Sequence, residues 1–288
     1  MNLVLIHIGN TLPDYIGDTI EQVRKFYDGN LILVKSKHCD MTHLDDMTVI
    51  DYESLLDHHR VQEFKNVSTL QGFWGVTCER FIILESLMEK IKLDTVFHIE
   101  NDVTIYNDLT NLLPLVKKHC KDSVVINPTG PEISTGAFIY VDNLKAISFM
   151  NEQFINFLRN PNLVTDRLNE KFMSEMKFLN ILNLDYPDKV QAFPILPHQE
   201  GLGESTDLLF DCATWGQLLG GTPGGMLGAE RFPHHWIGQE MYPERKYEYE
   251  WIEDDKGRRC IFVVDKSGNK YKLNNLHIHC KRVKEFMS

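Results

Sequence analysis

The chain has 288 residues, with 30 Lys and Arg against 41 Asp and Glu, a formal charge of −11. That length admits one large α/β domain or two average ones, and an acidic balance without a basic stripe speaks against a nucleic-acid-binding face. Hydrophobic residues at 43% and charged residues at 25% suit a globular chain with a sizeable core, which excludes global disorder.

No apolar run approaches the roughly 18 residues that a bilayer span needs. The opening stretch from Met1 to Ile8 lacks the basic start of an export signal and runs into Gly9-Asn10. Cys39, Cys78, Cys120, Cys212, Cys260 and Cys280 are scattered, with no C-x-x-C pair, so reduced thiols are expected rather than a zinc ribbon or a disulfide framework. A soluble, cytoplasmic protein is the expectation.

Residues 3–8 form a short continuous apolar run, as in a parallel strand covered on both faces. Ile16, Ile20, Val23 and Tyr27 then fall at helical spacing, Gly29-Asn30 stops that helix, and residues 31–34 begin a second strand. This β-α-β start predicts a right-handed crossover and a parallel sheet. Residues 38–68 are polar, with one strand candidate at 47–50. A helix is expected over 77–92, a strand over 95–99, another helix ending near His119, and strands over 123–127 and 136–141. Leu168, Phe172, Met176, Leu179 and Leu182 predict one further long helix, and residues 197–240, rich in Gly, Pro and His, a long loop of the kind that is either functional or disordered. Strands over 247–252, 259–264 and 271–279, separated by Gly-containing turns, read as an antiparallel meander. The organisation is one α/β domain with a mostly parallel, helix-flanked sheet and a C-terminal antiparallel appendage.

Three segments carry candidate chemistry. Glu100-Asn101-Asp102 ends a fully apolar strand, where ligands of open α/β sheets collect, and its two carboxylates can hold a divalent cation and a ribose or merely cap the next helix. On a strand, His277 and His279 share one face, and either imidazole can ligate a metal while Lys281 meets phosphate oxygens. In the stretch 207–217, Trp215 offers a flat sugar platform and Asp211 and Gln217 directional hydrogen bonds, the alternative being an amphipathic helix with Trp215 in the core. Asp57-His58-His59 and His234-His235 read as solvated surface, because adjacent side chains diverge. Gly201-Leu202-Gly203 lacks a strand-glycine-helix context, and neither a P-loop nor a serine elbow is present.

On the β-α-β start, the helix leading into His98–Val103, the segment Ser134-Thr135-Gly136 and the late His279-Cys280-Lys281, the chain resembles nucleotide-sugar-dependent glycosyltransferases of the GT-A fold, with a form closer to soluble viral or bacterial enzymes. The resemblance spans nearly the whole length. It implies a nucleotide-binding half over 1–130, a donor-sugar and acceptor half over 131–240 and a meander over 241–288. It implies a D-x-D-like motif in which Glu100 replaces the first Asp and Asp102 binds Mn²⁺ or Mg²⁺, with His279 preferred over His277 as a further ligand. Gly9, Asn10, Thr11 and Ser36 would grip base and ribose, with Asn101 beside them. Arg80 and Lys281 would approach the donor diphosphate, and Ser134, Thr135 and Gly136 the donor sugar. Trp215 and Gln217 would face the acceptor. A viral source would place the protein in the host cytoplasm or the virion.

The expected reaction moves a sugar from a UDP-linked or similar donor to a glycan or other hydroxyl. The cation would stabilise the leaving diphosphate as a Lewis acid, and an added imidazole tilts the choice towards Mn²⁺. If configuration inverts, a base is needed, with Asp211 first and Asp207 and Glu204 in reserve. The alternatives are a non-catalytic sugar-binding protein, motivated by Trp215, and a metal-dependent phosphohydrolase using the same Asp and His set.

Overall fold

The computed structural model of the chain describes residues 1–40, 46–168, 173–199, 207–220, 234–241 and 246–288. The β-α-β start forms as expected: β1 (Asn2–Ile6), α1 (Ile16–Phe26) and β2 (Asn30–Lys35), with β2 parallel to β1. α1 buries Ile16, Ile20, Val23 and Phe26, and places Asp18 in its first turn and Arg24 and Lys25 in its last, each charge opposing the partial charge of that helix end. β3 (Thr48–Asp51) extends the sheet, and α2 (His59–Val67) and α3 (Gly72–Ile91) lead into β4 (Val96–Ile99), parallel to β1 on its other side. α2 escapes the hydrophobic pattern because it buries only Val61 and Phe64.

After β4 come β5 (Val103–Ile105), α4 (Leu109–His119), β6 (Val124–Pro128), β7 (Ser134–Val141) and α5 (Leu144–Arg159). Asp108 and Asn143 cap α4 and α5 by accepting the N–H groups of Thr110 and Ala146 at 2.8 and 3.0 Å. α6 (Asn162–Leu168) and α7 (Glu175–Asp185) replace the single helix expected through Leu168 to Leu182. Ser174, extended at φ −151° and ψ 163°, starts α7 afresh, and Phe172 lies outside the described residues. β8 (Val190–Ala192) completes a sheet ordered β3-β2-β1-β4-β7-β6-β8, in which only β7 runs antiparallel.

Alternate residues of β1 enter two cores. Leu3 and Leu5 pack with α1 and α4, Val4 and Ile6 with α2, α3, α5 and α7. Coverage of both faces is why the strand reads as a continuous apolar run.

The C-terminal part departs from a simple meander. β9 (Leu208–Leu209) and the short helices α8 (Thr214–Leu218) and α9 (Trp236–Met241) precede β10 (Tyr247–Glu253), β11 (Arg259–Asp265) and β12 (Lys270–Leu273). β12 pairs antiparallel with β11 and parallel with β9. The strand expected over 271–279 divides at the wholly buried Asn274, whose N–H donates to Leu209 O while its carbonyl accepts from Tyr106 N. Beyond that hand-over, β13 (Asn275–His277) pairs antiparallel with β5, setting His277 opposite Val103. No helix among the described residues is long and apolar enough to cross a membrane, and all six cysteines are free.

Candidate active site

The acidic segment leaves β4 as a tight turn. Glu100 N donates to Ala137 O of β7 at 2.8 Å, and Val103 N closes the turn on Glu100 O at 3.1 Å. The β5–β13 ribbon delivers His277 to this turn, and Ile278 N donates to Asp102 O at 2.8 Å. His277 Nε2 consequently lies 3.1 Å from Glu100 and 3.2 Å from Asp102. Arg80 of α3 grips the other oxygen of Glu100, and Lys281 closes on Asp102. Charges of alternating sign thus run from Arg80 through Glu100, His277 and Asp102 to Lys281.

Burial sets the direction of each ionisation and the partners then decide it. Burial favours a neutral Glu100, yet Arg80 and His277 hold it well below the usual carboxylate range. Burial acts likewise on Asp102, and His277 and Lys281 bring it down to about 2. For His277, burial opposes the proton, but Asp102 and Glu100 raise the imidazole to about 10. His279 is pushed down to about 3 by burial and by the neighbouring His277 charge.

Glu100, Asp102 and Lys281 line a cleft of about 170 Å³ at the carboxyl ends of β1 and β4, walled by His7 and Ile8, Tyr15, Phe73 and Arg80, with His277 behind the two carboxylates. Several buried polar atoms around it lack a hydrogen-bond partner: His7 Nε2, Arg80 Nε, His98 Nε2, Asn101 Oδ1, His277 Nδ1 and His279 Nε2. Buried polar atoms are normally satisfied, so these are groups able to hydrogen-bond a polar ligand or water. His98 is fully buried, binds Val4 O through Nδ1 at 3.0 Å, and is held neutral by burial and Arg80, with a pKa of about 3.

The geometry sorts the expected site residues. Arg80, Glu100, Asn101, Asp102 and Lys281 line the cleft. Gly9, Asn10 and Thr11 are exposed immediately beyond the cleft-lining His7 and Ile8. The histidine brought to both carboxylates is His277, not His279, because the strand ends at His277 and the chain turns away; the His279 ring packs 4.0 Å from that of His277. Ser36 is buried, its hydroxyl donating to Glu53, and it does not line the cleft. Ser134 donates to Asn180 Oδ1 at 3.2 Å, and Thr135 accepts from Ala137 N at the same distance; both are buried in β7.

Gly136 is a close-packed position. A Cβ there would stand 2.4 Å from the Phe81 ring, which is itself held edge-on by Phe154 and His98. Gly136→Ala is therefore expected to cost about 1–3 kcal/mol by overpacking, read as a lower urea midpoint; an unchanged midpoint would show that α3 shifts freely.

The described base and acceptor candidates do not line the cleft. Asp211 is fully buried, and both its oxygens accept backbone N–H groups, from Trp215, Gly216 and His277, at 2.8–2.9 Å. Asp207 is exposed beside Lys272 on the C-terminal sheet, and Glu204 lies outside the described residues. Trp215 is a core residue, its indole N–H donating to Ile195 O at 3.0 Å. Gln217 is half-buried on α8 and does not line the cleft. His7, Phe73 and Glu175 were not singled out by sequence. His7 sits just before the Gly9-Asn10-Thr11 turn, while Glu175, 3.9 Å from Arg80 and bound to Thr77 at 2.7 Å, carries no motif.

No family model matches the chain, and no curated protein matches it in sequence. Among solved structures, mouse xyloside xylosyltransferase 1 in its apo form aligns over 82% of this chain and 94% of its own, with a TM-score of 0.51 at 9% identity. The chain has the GT-A fold. A structure of the galactosyltransferase LgtC in complex with donor and acceptor sugar analogues aligns over 67% of this chain and 73% of its own, with a TM-score of 0.41 at 14% identity. In this GT-A sheet the cleft opens where β1 and β4 end, the position at which parallel sheets present ligands.

Proposed function

We propose that the chain is a glycosyltransferase that moves a sugar from a nucleoside-diphosphate donor, UDP-linked first among them, to a hydroxyl of a glycan or similar acceptor. The observation that carries this reading is the convergence of Glu100, Asp102 and His277, whose ligand atoms lie within 4.8 Å of one another at the head of a cleft rich in unpartnered polar atoms. Two carboxylates and one imidazole suit a hard or borderline divalent ion, Mn²⁺ before Mg²⁺. Bound there, such an ion supplies Lewis-acid stabilisation to the departing diphosphate.

The protein's own groups complete the reading. Lys281, whose side chain is 48% exposed, is free to swing from Asp102 to phosphate oxygens. Arg80 is buried and pinned by Glu100 and Glu175, so it orients Glu100 and offers a fixed positive wall. His7 Nε2 and Asn101 Oδ1 face each other's neighbourhood through the 3.1 Å contact of His7 Nδ1 with Asn101 Nδ2, and offer a donor and an acceptor to a polar ligand edge. The non-catalytic sugar-binding alternative loses its motive, because Trp215 lies in the core.

The test is a thermal-shift series with UDP, GDP and CDP, each with and without Mn²⁺. Ligand at a hundredfold excess over Kd adds about 2.7 kcal/mol of stability, which raises Tm by several degrees in a chain of this size. One nucleoside diphosphate is expected to do so only with the cation present. No shift with any of them would remove the reading, and release of inorganic phosphate from simple phosphate esters, with no nucleoside diphosphate released from any sugar donor, would replace it with a phosphohydrolase.

A further inference from the structure

Adjacent side chains diverge inside a helix or a strand, but His58 and His59 straddle a boundary. His58 is the N-cap of α2, extended at φ −61° and ψ 135°, and His59 is its first helical residue. That change of backbone conformation brings the two rings together, with centroids 4.5 Å apart. Glu89, from the last turn of α3, meets His58 Nε2. One donor atom from each of the three side chains lies within 4.8 Å of the other two.

We propose that His58, His59 and Glu89 form a second divalent-metal site, separate from the cleft, that takes Zn²⁺, Ni²⁺ or Cu²⁺ in preference to Mg²⁺. Two imidazoles and one carboxylate select borderline transition metals, whereas Mg²⁺ prefers an all-oxygen shell. Three protein ligands leave the remaining coordination to water. His59 and Glu89 are both exposed, so the ion has an open approach.

The surrounding charges have been committed elsewhere. Lys90 donates to Ser54 O at 2.6 Å, and Arg60 is paired with Glu63 at 2.9 Å and with Glu85 at 3.6 Å. The positive end of α2 opposes a cation, while Glu89 sits at the negative end of the much longer α3. Ligation through His58 Nε2 displaces the hydrogen shared with Glu89. The ring proton then resides on Nδ1, and the 3.3 Å capping contact with Arg60 N–H is given up. The bound ion would staple the start of α2 to the end of α3.

The test is calorimetric titration of the tag-free full chain with ZnCl₂ and, separately, MgCl₂. Asp102→Asn serves as background, to silence the cleft. In that background a single Zn²⁺ site with no matching Mg²⁺ heat is expected. Adding His59→Ala or Glu89→Gln is expected to weaken it at least tenfold, with circular dichroism unchanged because both side chains are exposed. Replacing Zn²⁺ by Co²⁺ should give visible absorption bands that the same substitutions abolish. Zn²⁺ affinity and Co²⁺ spectra that survive both substitutions, or no Zn²⁺ binding in the Asp102→Asn background, would overturn the proposal.

Discussion

Asp102→Asn is expected to reduce sugar transfer by about three orders of magnitude or more, equivalent to roughly 4 kcal/mol of transition-state stabilisation. Asp102 is 3% exposed and stands between His277 and Lys281. Removing its charge takes away one anionic ligand of the proposed ion and frees Lys281 from its partner. The fold should survive, because the backbone carbonyl of Asp102, which accepts from Ile278 N, is untouched, and Asn keeps one acceptor oxygen for His277. Steady-state turnover with a saturating cation, beside a melting curve, separates the two effects. Full turnover in a well-folded Asp102→Asn protein would show that the carboxylate serves only the ion pairs seen here. A Lys281→Ala protein should lose less, since Arg80 remains as a fixed cation in the same cleft and only the mobile phosphate contact disappears.

The parts of this site that periodicity reveals are those in which local sequence and burial coincide. Leu3–Ile6, Leu31–Val34 and Val96–Ile99 are buried on both faces, so their apolar runs announce a parallel sheet, and Glu100-Asn101-Asp102 stands out as the polar end of one such run. What periodicity cannot carry is the hand-over at Asn274. Nothing in the run from Tyr271 to His279 marks where one sheet ends and the next begins, because Asn274 is satisfied by Leu209 and Tyr106, residues remote in the chain. The same limit hides which of His277 and His279 meets the carboxylates, and it leaves the acidity of Asp211 legible but not the three backbone N–H groups that its carboxylate accepts. Trp215 shows the converse. An indole in a Gly-rich stretch suggests a sugar platform, while the deciding fact is its position beneath Tyr247 and Tyr249. For His58 and His59, the rule that neighbours diverge fails because a helix begins between them.

Asp211 is the second place where a single substitution should have a large effect, and that effect is on stability. Its carboxylate gathers the N–H groups of Trp215, Gly216 and His277, tying the first turn of α8 to β13 and so holding the strand that presents His277. The packing leaves no slack: a Cβ on Gly216 would lie 2.4 Å from His277 O and 2.9 Å from Asp211 Oδ2. Asp211→Ala leaves three buried donors unpaired, an expected loss of about 3–5 kcal/mol out of the roughly 5–15 kcal/mol that holds a typical domain. Asp211→Asn is the milder change, because one oxygen still serves Gly216 and His277 while the amide turns a donor on Trp215 N–H. The two also differ in pH dependence. Burial pushes the Asp211 carboxyl up to about 6, against the opposing pull of its N–H partners. A raised carboxyl binds its proton more tightly in the folded state, so its contribution is fullest below the unfolded value near 3.9 and declines as pH rises through about 6. Urea midpoints measured from pH 4 to pH 8 should therefore show that decline in the wild-type protein and lack it in Asp211→Asn. Parallel pH profiles for the two proteins would mean that the three N–H groups hold Asp211 ionised throughout, and the loss in Asp211→Ala would then be the cost of the missing hydrogen bonds alone.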